Sequence, residues 1–405
     1  MKILHTADWH LGKRLESLSR HEEQKLVLEE ICEIADRENV DVVLIAGDLF
    51  DTYNPPNESV ELFYKICKQL TNNGLRAVVA IAGNHDSPER IEAPDPLARE
   101  CGIIFAGFPN STVPTFSLNT GLAVTESEAG FISLKLPNYD YPLHLLLTPF
   151  ANEERLKKYL GETQREAVLR ETVSEKWKND VEKRTNTQFQ SPVTVLMSHL
   201  LFIRDNQTVV QEDEGEKPIY IGTASAFYPE DVPNGVQYVA LGHLHRFHYV
   251  AKTRLPVVYS GSPLAYSFNE ENQEKYVILI EAEPEKRVKI KEIILETPKK
   301  LFKIIAENFE DAILKLAQVP DALIQLSVKT ENGLDRAITG PLYEAHKGII
   351  PPIMPLFAND TEGGQTERVI DLNDVEKMFK DYFKFKHKAE PSQDLMQILK
   401  EVMGS

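Results

Sequence analysis

The sequence predicts an α/β protein whose larger first part is followed by a smaller α+β region and a helical tail. Three observations carry this reading. Apolar runs at 3–7, 40–46 and 77–82 are short and nearly continuous, as in strands buried on both faces. Between the first two, Leu28, Ile31, Cys32 and Ala35 recur at helical spacing, and Val60, Phe63, Tyr64 and Cys67 repeat the pattern before the third. Alternation of this kind marks βαβ units around a largely buried sheet.

Further along, residues 152–186 are strongly charged. Leu156, Tyr159 and Leu160, then Val168, Leu169, Val173 and Trp177, keep helical spacing, which predicts one or two surface helices. Strand patterns resume at 193–197, 236–241, 257–259 and 276–280, and the acidic stretch 205–217 reads as a mobile loop. These elements assign residues 1–283 to one domain. Short β-like pieces at 288–295 and 323–328, with a helical run at 311–317, predict a smaller α+β domain over 284–368. Within it, the Pro, Gly and Thr-rich stretch 351–365 resembles a linker. The tail, 369–405, is helical in character. It carries Lys377, Phe379, Lys380, Tyr382, Phe383, Lys384, Phe385, Lys386 and Lys388 in one basic and aromatic cluster.

The composition, 42% hydrophobic and 26% charged with 24 Pro and 20 Gly, excludes collagen-like and wholly disordered classes. No uninterrupted apolar run approaches the roughly 20 residues of a membrane helix, and residues 1–10 lack the apolar core of a signal peptide. A soluble cytoplasmic protein without membrane contact is expected. Cys32, Cys67 and Cys101 are odd in number and lack metal-type spacing, so they read as reduced core residues. The formal charge is -17 and is unevenly spread. Residues 1–283 hold 27 basic and 42 acidic side chains, against 18 and 20 in 284–405. Any polyanion bound by the first part must therefore be met by bound cations and a local basic track.

Five motifs sit where a predicted strand runs out: Asp8-Trp9-His10, Gly47-Asp48-Leu49-Phe50-Asp51, Gly83-Asn84-His85-Asp86, Ser198-His199 and Gly242-His243-Leu244-His245. Sites in open α/β sheets are built at the carboxyl ends of strands. Residues two apart on an extended strand point the same way, so Asp8 with His10, and His243 with His245, are expected to present paired ligands. Carboxylate, imidazole and amide oxygen together suit manganese, iron or zinc. Glycines 47, 83 and 242 allow backbone to come close to a metal or phosphate. Each motif alone has a plainer reading as a surface pair, a turn or a core histidine. Five together, in order, point to a two-metal site.

This order resembles the calcineurin-like metallophosphoesterase superfamily, and the wording ILHTADWHLG, LIAGDLFDTYNPP, IAGNHDS, YVALGHLHR and YSGSPLAYSF resembles its bacterial SbcD nuclease branch. The resemblance spans about residues 1–280, with Ser198 where glycine is commoner. It implies a β-sandwich flanked by helices. Asp8, His10, Asp48 and His245 would hold one ion, and Asp48, Asn84, His199 and His243 the other. His85 would be the catalytic histidine, with Asp86 orienting it. Asp51 would support the ligands by hydrogen bonding. Two divalent ions, manganese first among them, would activate water for attack on a phosphodiester.

The resemblance further implies double-strand exonuclease and single-strand or hairpin endonuclease activity on DNA. No GxxxxGK[ST] loop occurs, so ATP use requires a partner. The implied partner is the SMC-like coiled-coil ATPase SbcC in a two-plus-two assembly, which is compatible with a homodimer of the nuclease chain. Residues 284–368 would then cap the DNA and the tail would dock on the coiled coil. Lys13, Arg14, Arg90 and Arg246 flank the motifs and are candidates for phosphate contact. His248 is a candidate for substrate contact. His5, His21, His144, His346 and His387 carry no partner pattern. A two-metal phosphoesterase acting on a non-DNA ester is the alternative; a catalytically silent scaffold would have lost ligands that are all present.

Overall fold

The computed structural model describes residues 1–160, 165–185, 191–204, 226–271, 273–330 and 333–357. The loop at 205–217, the later part of the linker-like stretch, the tail and His387 lie outside the described residues.

Two sheets form the larger part. The first has six strands in the order Lys289–Ile294, Tyr276–Glu281, Lys2–Thr6, Val42–Ile45, Ala77–Ile81, Ile103–Ala106. Its last four run parallel, and the first two are antiparallel additions. The second has eight strands in the order His248–Ala251, Val257–Tyr259, Tyr238–Leu241, Val193–Ser198, Leu143–Thr148, Phe131–Lys135, Ala123–Glu128, Phe116–Ser117. Four consecutive strands, from Val257–Tyr259 to Leu143–Thr148, are parallel.

The sheets pack face to face. Ile3, Val42, Leu44, Val79 and Ile81 of one meet Ile132, Leu145, Val195, Met197 and Ala240 of the other in a single buried cluster. Alternate residues of the first sheet, Leu4, Val43, Ile45 and Val78, instead face the helices His21–Arg37 and Asn57–Leu70. This double burial explains why the strands read as continuous apolar runs. On the outer face of the second sheet, Leu169, Val173 and Trp177 of the helix Arg165–Thr185 pack on Phe131, Leu146 and Leu196. The result is a β-sandwich flanked by helices, as expected.

Two stretches differ from the sequence reading. Residues 289–294, expected in the smaller domain, form an edge of the first sheet, with Tyr276 opposite Ile294 and Glu281 opposite Lys289. Local pattern cannot tell which sheet a two-residue-period strand will join. The linker-like stretch contains a strand, Met354–Leu356, whose Ser327 to Met354 register places it beside Ala322–Lys329. Pro355 masks it in sequence, yet proline is tolerated because this strand is an edge of its sheet.

The smaller part is a three-stranded parallel sheet, Lys300–Ala306, Ala322–Lys329 and Met354–Leu356, with helices Phe309–Leu316 and Arg336–Ala345. Asn308 and Asp335 cap those helices by accepting the backbone N–H of Asp311 and Ile338. A seam of Leu15, Ala265 and Phe268 against Leu301, Leu323 and Ile350 joins it to the sandwich. Cys32 and Cys67 are buried and Cys101 is half-buried, all three as free thiols.

Candidate metal centre

The five motifs follow the strands Lys2–Thr6, Val42–Ile45, Ala77–Ile81, Val193–Ser198 and Tyr238–Leu241. These are parallel members of the two facing sheets, so their carboxyl-end loops meet at one edge of the sandwich. The backbone N–H groups of Asp8, His10 and Leu11 donate to the carbonyls of Gly47, Asp48 and Leu49, extending the strand pairing into the loops. The N–H of His243 donates across the sheets to Asp8 Oδ1 at 2.9 Å.

The side chains expected as paired ligands come together by a different route from strand alternation. Asp8, His10, Asp48 and His243 all lie beyond their strands with positive φ, at 55°, 43°, 49° and 111°. Each such residue stores about 1–3 kcal/mol of backbone strain, held in place by the surrounding bonds. Three glycines make the closeness tolerable. A Cβ on Gly83 would lie 2.1 Å from Asp48 Oδ1, one on Gly47 2.2 Å from His199 Nδ1, and one on Gly242 2.0 Å from the Ala46 carbonyl.

Asp48 is the hub. Its Oδ2 lies 3.5 Å from His10 Nε2, 3.5 Å from His199 Nε2 and 4.0 Å from His85 Nε2. Its Oδ1 accepts the His85 N–H at 2.9 Å. His10 Nε2 and His245 Nε2 face each other at 2.9 Å. On the other side of Asp48, His199 Nε2 lies 3.0 Å from Asn84 Oδ1 and its ring packs 5.7 Å from that of His243. His199 Nδ1 is tied to the Ala46 carbonyl at 2.8 Å, which turns Nε2 toward Asp48. Donor atoms of Asp8, Asp48 and His199 lie within 4.8 Å of one another, and so do those of His10, Asp51 and His85.

These residues fit divalent cations. Asp8 Oδ2 and His10 Nδ1 are buried without a hydrogen-bond partner, and an unmet buried polar atom costs about 1–3 kcal/mol. Two imidazole nitrogens turned to each other beside a carboxylate form a donor set for a borderline metal ion. Burial pushes the Asp8 carboxyl up and holds the His10 imidazole well below its usual range. Burial also opposes charge on Asp48 and His199. Here the opposite charges win, so Asp48 stays ionised well below the usual carboxylate range and His199 rises to about 9.

His85 and Asp86 are arranged differently from the expected pair. The His85 ring is held through Nδ1, 2.8 Å from the Asp51 carbonyl. The Asp86 carboxylate instead accepts the backbone N–H groups of Gly83 at 2.8 Å, Phe50 at 2.9 Å and Leu49 at 3.0 Å. It therefore ties the second motif to the third. Burial and the neighbouring Asp48 charge raise the Asp86 carboxyl to about 6, with the three N–H groups opposing.

A second layer is not legible in the sequence. Gln24 donates to the His10 carbonyl at 2.9 Å, and Tyr266 donates to that of Trp9. Buried Arg155 reaches the carbonyls of Gly83 and Asp86, each at 2.8 Å. These contacts span 14 to 257 positions, so no local pattern announces them. Among the flanking basic residues, Lys13 Nζ lies 3.4 Å from Asp51 Oδ1, while Arg14, Arg90 and Arg246 are exposed. Half-buried His248 bonds the Arg246 carbonyl. His5 and His346 are buried, and His21 and His144 are partly so. Among the described residues no helix is long and apolar enough to cross a membrane.

The family model for calcineurin-like phosphoesterases matches residues 1–247. A Bacillus subtilis protein named as the SbcD component of the nuclease SbcCD is 34% identical over 405 residues, covering 99% of this chain and 97% of its own. Proteins of the same name from Staphylococcus epidermidis and Escherichia coli K12 are 29% and 30% identical, covering 88% and 69% of this chain and 85% and 64% of theirs. The chain is a hydrolase that belongs to the calcineurin-like phosphoesterases and, among them, to the SbcD nucleases.

Proposed function

We propose that this chain is the nuclease component of an SbcCD-type complex, hydrolysing DNA phosphodiesters with two divalent ions, manganese foremost. Its activities are double-strand exonuclease and single-strand or hairpin endonuclease, exercised with SbcC in DNA end processing. The observation that carries the reading is the convergence of Asp8, His10, Asn84, His199, His243 and His245 around one carboxylate, Asp48.

In this reading His10 and His245, with Asp8 and Asp48, hold one ion, and Asn84, His199 and His243, with Asp48, hold the other. Bound there, divalent ions supply a nucleophile at neutral pH and neutralise charge on the phosphate oxygens. The remaining work falls to side chains. The Nδ1 proton of His85 is engaged by the Asp51 carbonyl, so a proton passed to the departing sugar oxygen must come from Nε2 of the imidazolium. Asp86 and Arg155 hold the backbone that sets the height of this ring. Lys13, close to Asp51 and mostly buried, is suited to meet a phosphate at the mouth of the site.

The acidic surface of residues 1–283 favours cation-mediated over direct contact with the polyanion. The unit over 284–368, apart from its edge strand at 289–294, is assigned to capping the DNA, and the tail to docking on SbcC in a two-plus-two assembly. The test offers purified protein and manganese end-labelled duplex DNA, a DNA hairpin and p-nitrophenyl phosphate esters in parallel. Cleavage of both DNAs is expected. Turnover of the small esters alone would favour the alternative, a two-metal phosphoesterase on a non-DNA ester.

A further inference from the structure

Behind His245 lies a buried ion pair that the proposed chemistry does not use. Glu270 ends the turn Phe268–Glu270, and Lys275 precedes the strand Tyr276–Glu281. Their side chains are 0% and 4% exposed, and Lys275 Nζ lies 2.5 Å from Glu270 Oε2. Removing two charges from water carries a large desolvation cost, so a pair this buried is weak as a source of stability. Its other contacts give it a different use.

Lys275 Nζ donates to the His245 carbonyl and to Ser262 Oγ, both at 3.1 Å. Glu270 Oε1 accepts the N–H of Tyr266 at 2.8 Å and of Ser267 at 3.1 Å. The same oxygen lies 3.8 Å from His245 Nδ1, beyond hydrogen-bond length but close enough to favour a proton on that nitrogen. Nε2 then keeps its lone pair toward His10, 2.9 Å away. Through Tyr266, whose ring packs edge-on to both His10 and His245, the pair also reaches the segment carrying the first motif.

We infer that Glu270 and Lys275 are positioning residues: together they fix the backbone and the ring tautomer of His245 so that Nε2 faces the cation site shared with His10. The inference rests on the proposed reading of His245 as a ligand. Comparable outer partners of ligating histidines change metal affinity about 10- to 100-fold when removed.

The test titrates Mn²⁺ into full-length wild type, Glu270→Gln and the double variant Glu270→Gln/Lys275→Met by calorimetry. Metal-free unfolding temperature and the visible spectrum of the Co²⁺-loaded proteins are recorded alongside. The double variant leaves no unpaired buried charge, so it is expected to fold with a melting temperature near wild type. In it, one of two Mn²⁺ sites should weaken about 10- to 100-fold, with a changed Co²⁺ spectrum. Wild-type affinity at both sites in a folded double variant, with or without a lower melting temperature, overturns the positioning role and leaves a purely structural one. A wild type that binds no Mn²⁺ instead defeats the underlying metal reading.

Discussion

Replacing Gly83 by alanine isolates the geometry on which the centre depends, because the change adds one methyl group and no charge. The new Cβ would lie 2.1 Å from Asp48 Oδ1, 2.3 Å from Asp48 N and 2.7 Å from Asp48 Cγ. Unstrained contacts of this kind need about 3.5 Å, so Asp48 or the 83–86 loop must move by about 1 Å or more. Neither moves freely. Asp48 Oδ1 is bonded to the His85 N–H, and Asp86 and Arg155 anchor the loop on both flanks. Overpacking of this sort costs about 1–3 kcal/mol of stability, which a domain of this size survives. The effect on the reaction is larger, since a misplacement of about 1 Å can lower a rate about 10²-fold. Asp48 stands between both halves of the site, so the Mn²⁺ requirement should rise as well. The assay is manganese-dependent cleavage of end-labelled duplex, with circular dichroism as a control for folding. A folded Gly83→Ala protein that cleaves within a few-fold of wild type would refute this account of the glycine and of Asp48 as hub.

Four further outcomes are expected. His85→Ala should keep both ions and DNA affinity while cleavage falls about 10²- to 10⁴-fold; loss of metal, or near-normal cleavage, would show the histidine has another role. His199→Ala should lose an ion along with activity, seen by elemental analysis of the metal-loaded protein. His199 sits near 9 in the metal-free protein against an ordinary 6.5, because the Asp48 and Asp8 charges outweigh burial. Its contribution to metal-free stability is therefore complete below about pH 6.5 and disappears as pH climbs through about 9, while Mn²⁺ affinity rises over the same interval as the ring gives up its proton; affinity independent of pH there would contradict the assignment. A chain ended before Asp371 should lose SbcC in a pull-down yet keep manganese-dependent cleavage, and undiminished capture would put the docking site elsewhere.

The strands and the motifs at their ends are legible in the sequence because both signals are local. Continuous apolar runs such as 40–46 need two covered faces, and the fold provides them. Conformation that only a partner loop imposes leaves no such trace. Nothing in Asp8-Trp9-His10 announces two left-handed residues, since their φ values are set by pairing with Gly47 and Asp48 in a distant loop. No local pattern marks Glu270 and Lys275, and only the fold brings them beneath His245. The edge strand Lys289–Ile294 falls to the wrong domain in sequence for a related reason: its alternation fits any sheet, and only the register with Tyr276–Glu281 chooses one. Asp86 stands out within its motif, but its backbone partners lie in two separate motifs, so its bracing role emerges only when the loops meet.

The central claim is that Asp48 is shared by two cations. Elemental analysis of the manganese-loaded wild-type protein and of Asp48→Ala, both checked for folding, tests it most directly. The account predicts about two equivalents per chain in the wild type and a loss of more than one in the variant, because both ions share that carboxylate. One equivalent or none in the wild type, or a variant that loses no more than one ion, would contradict it.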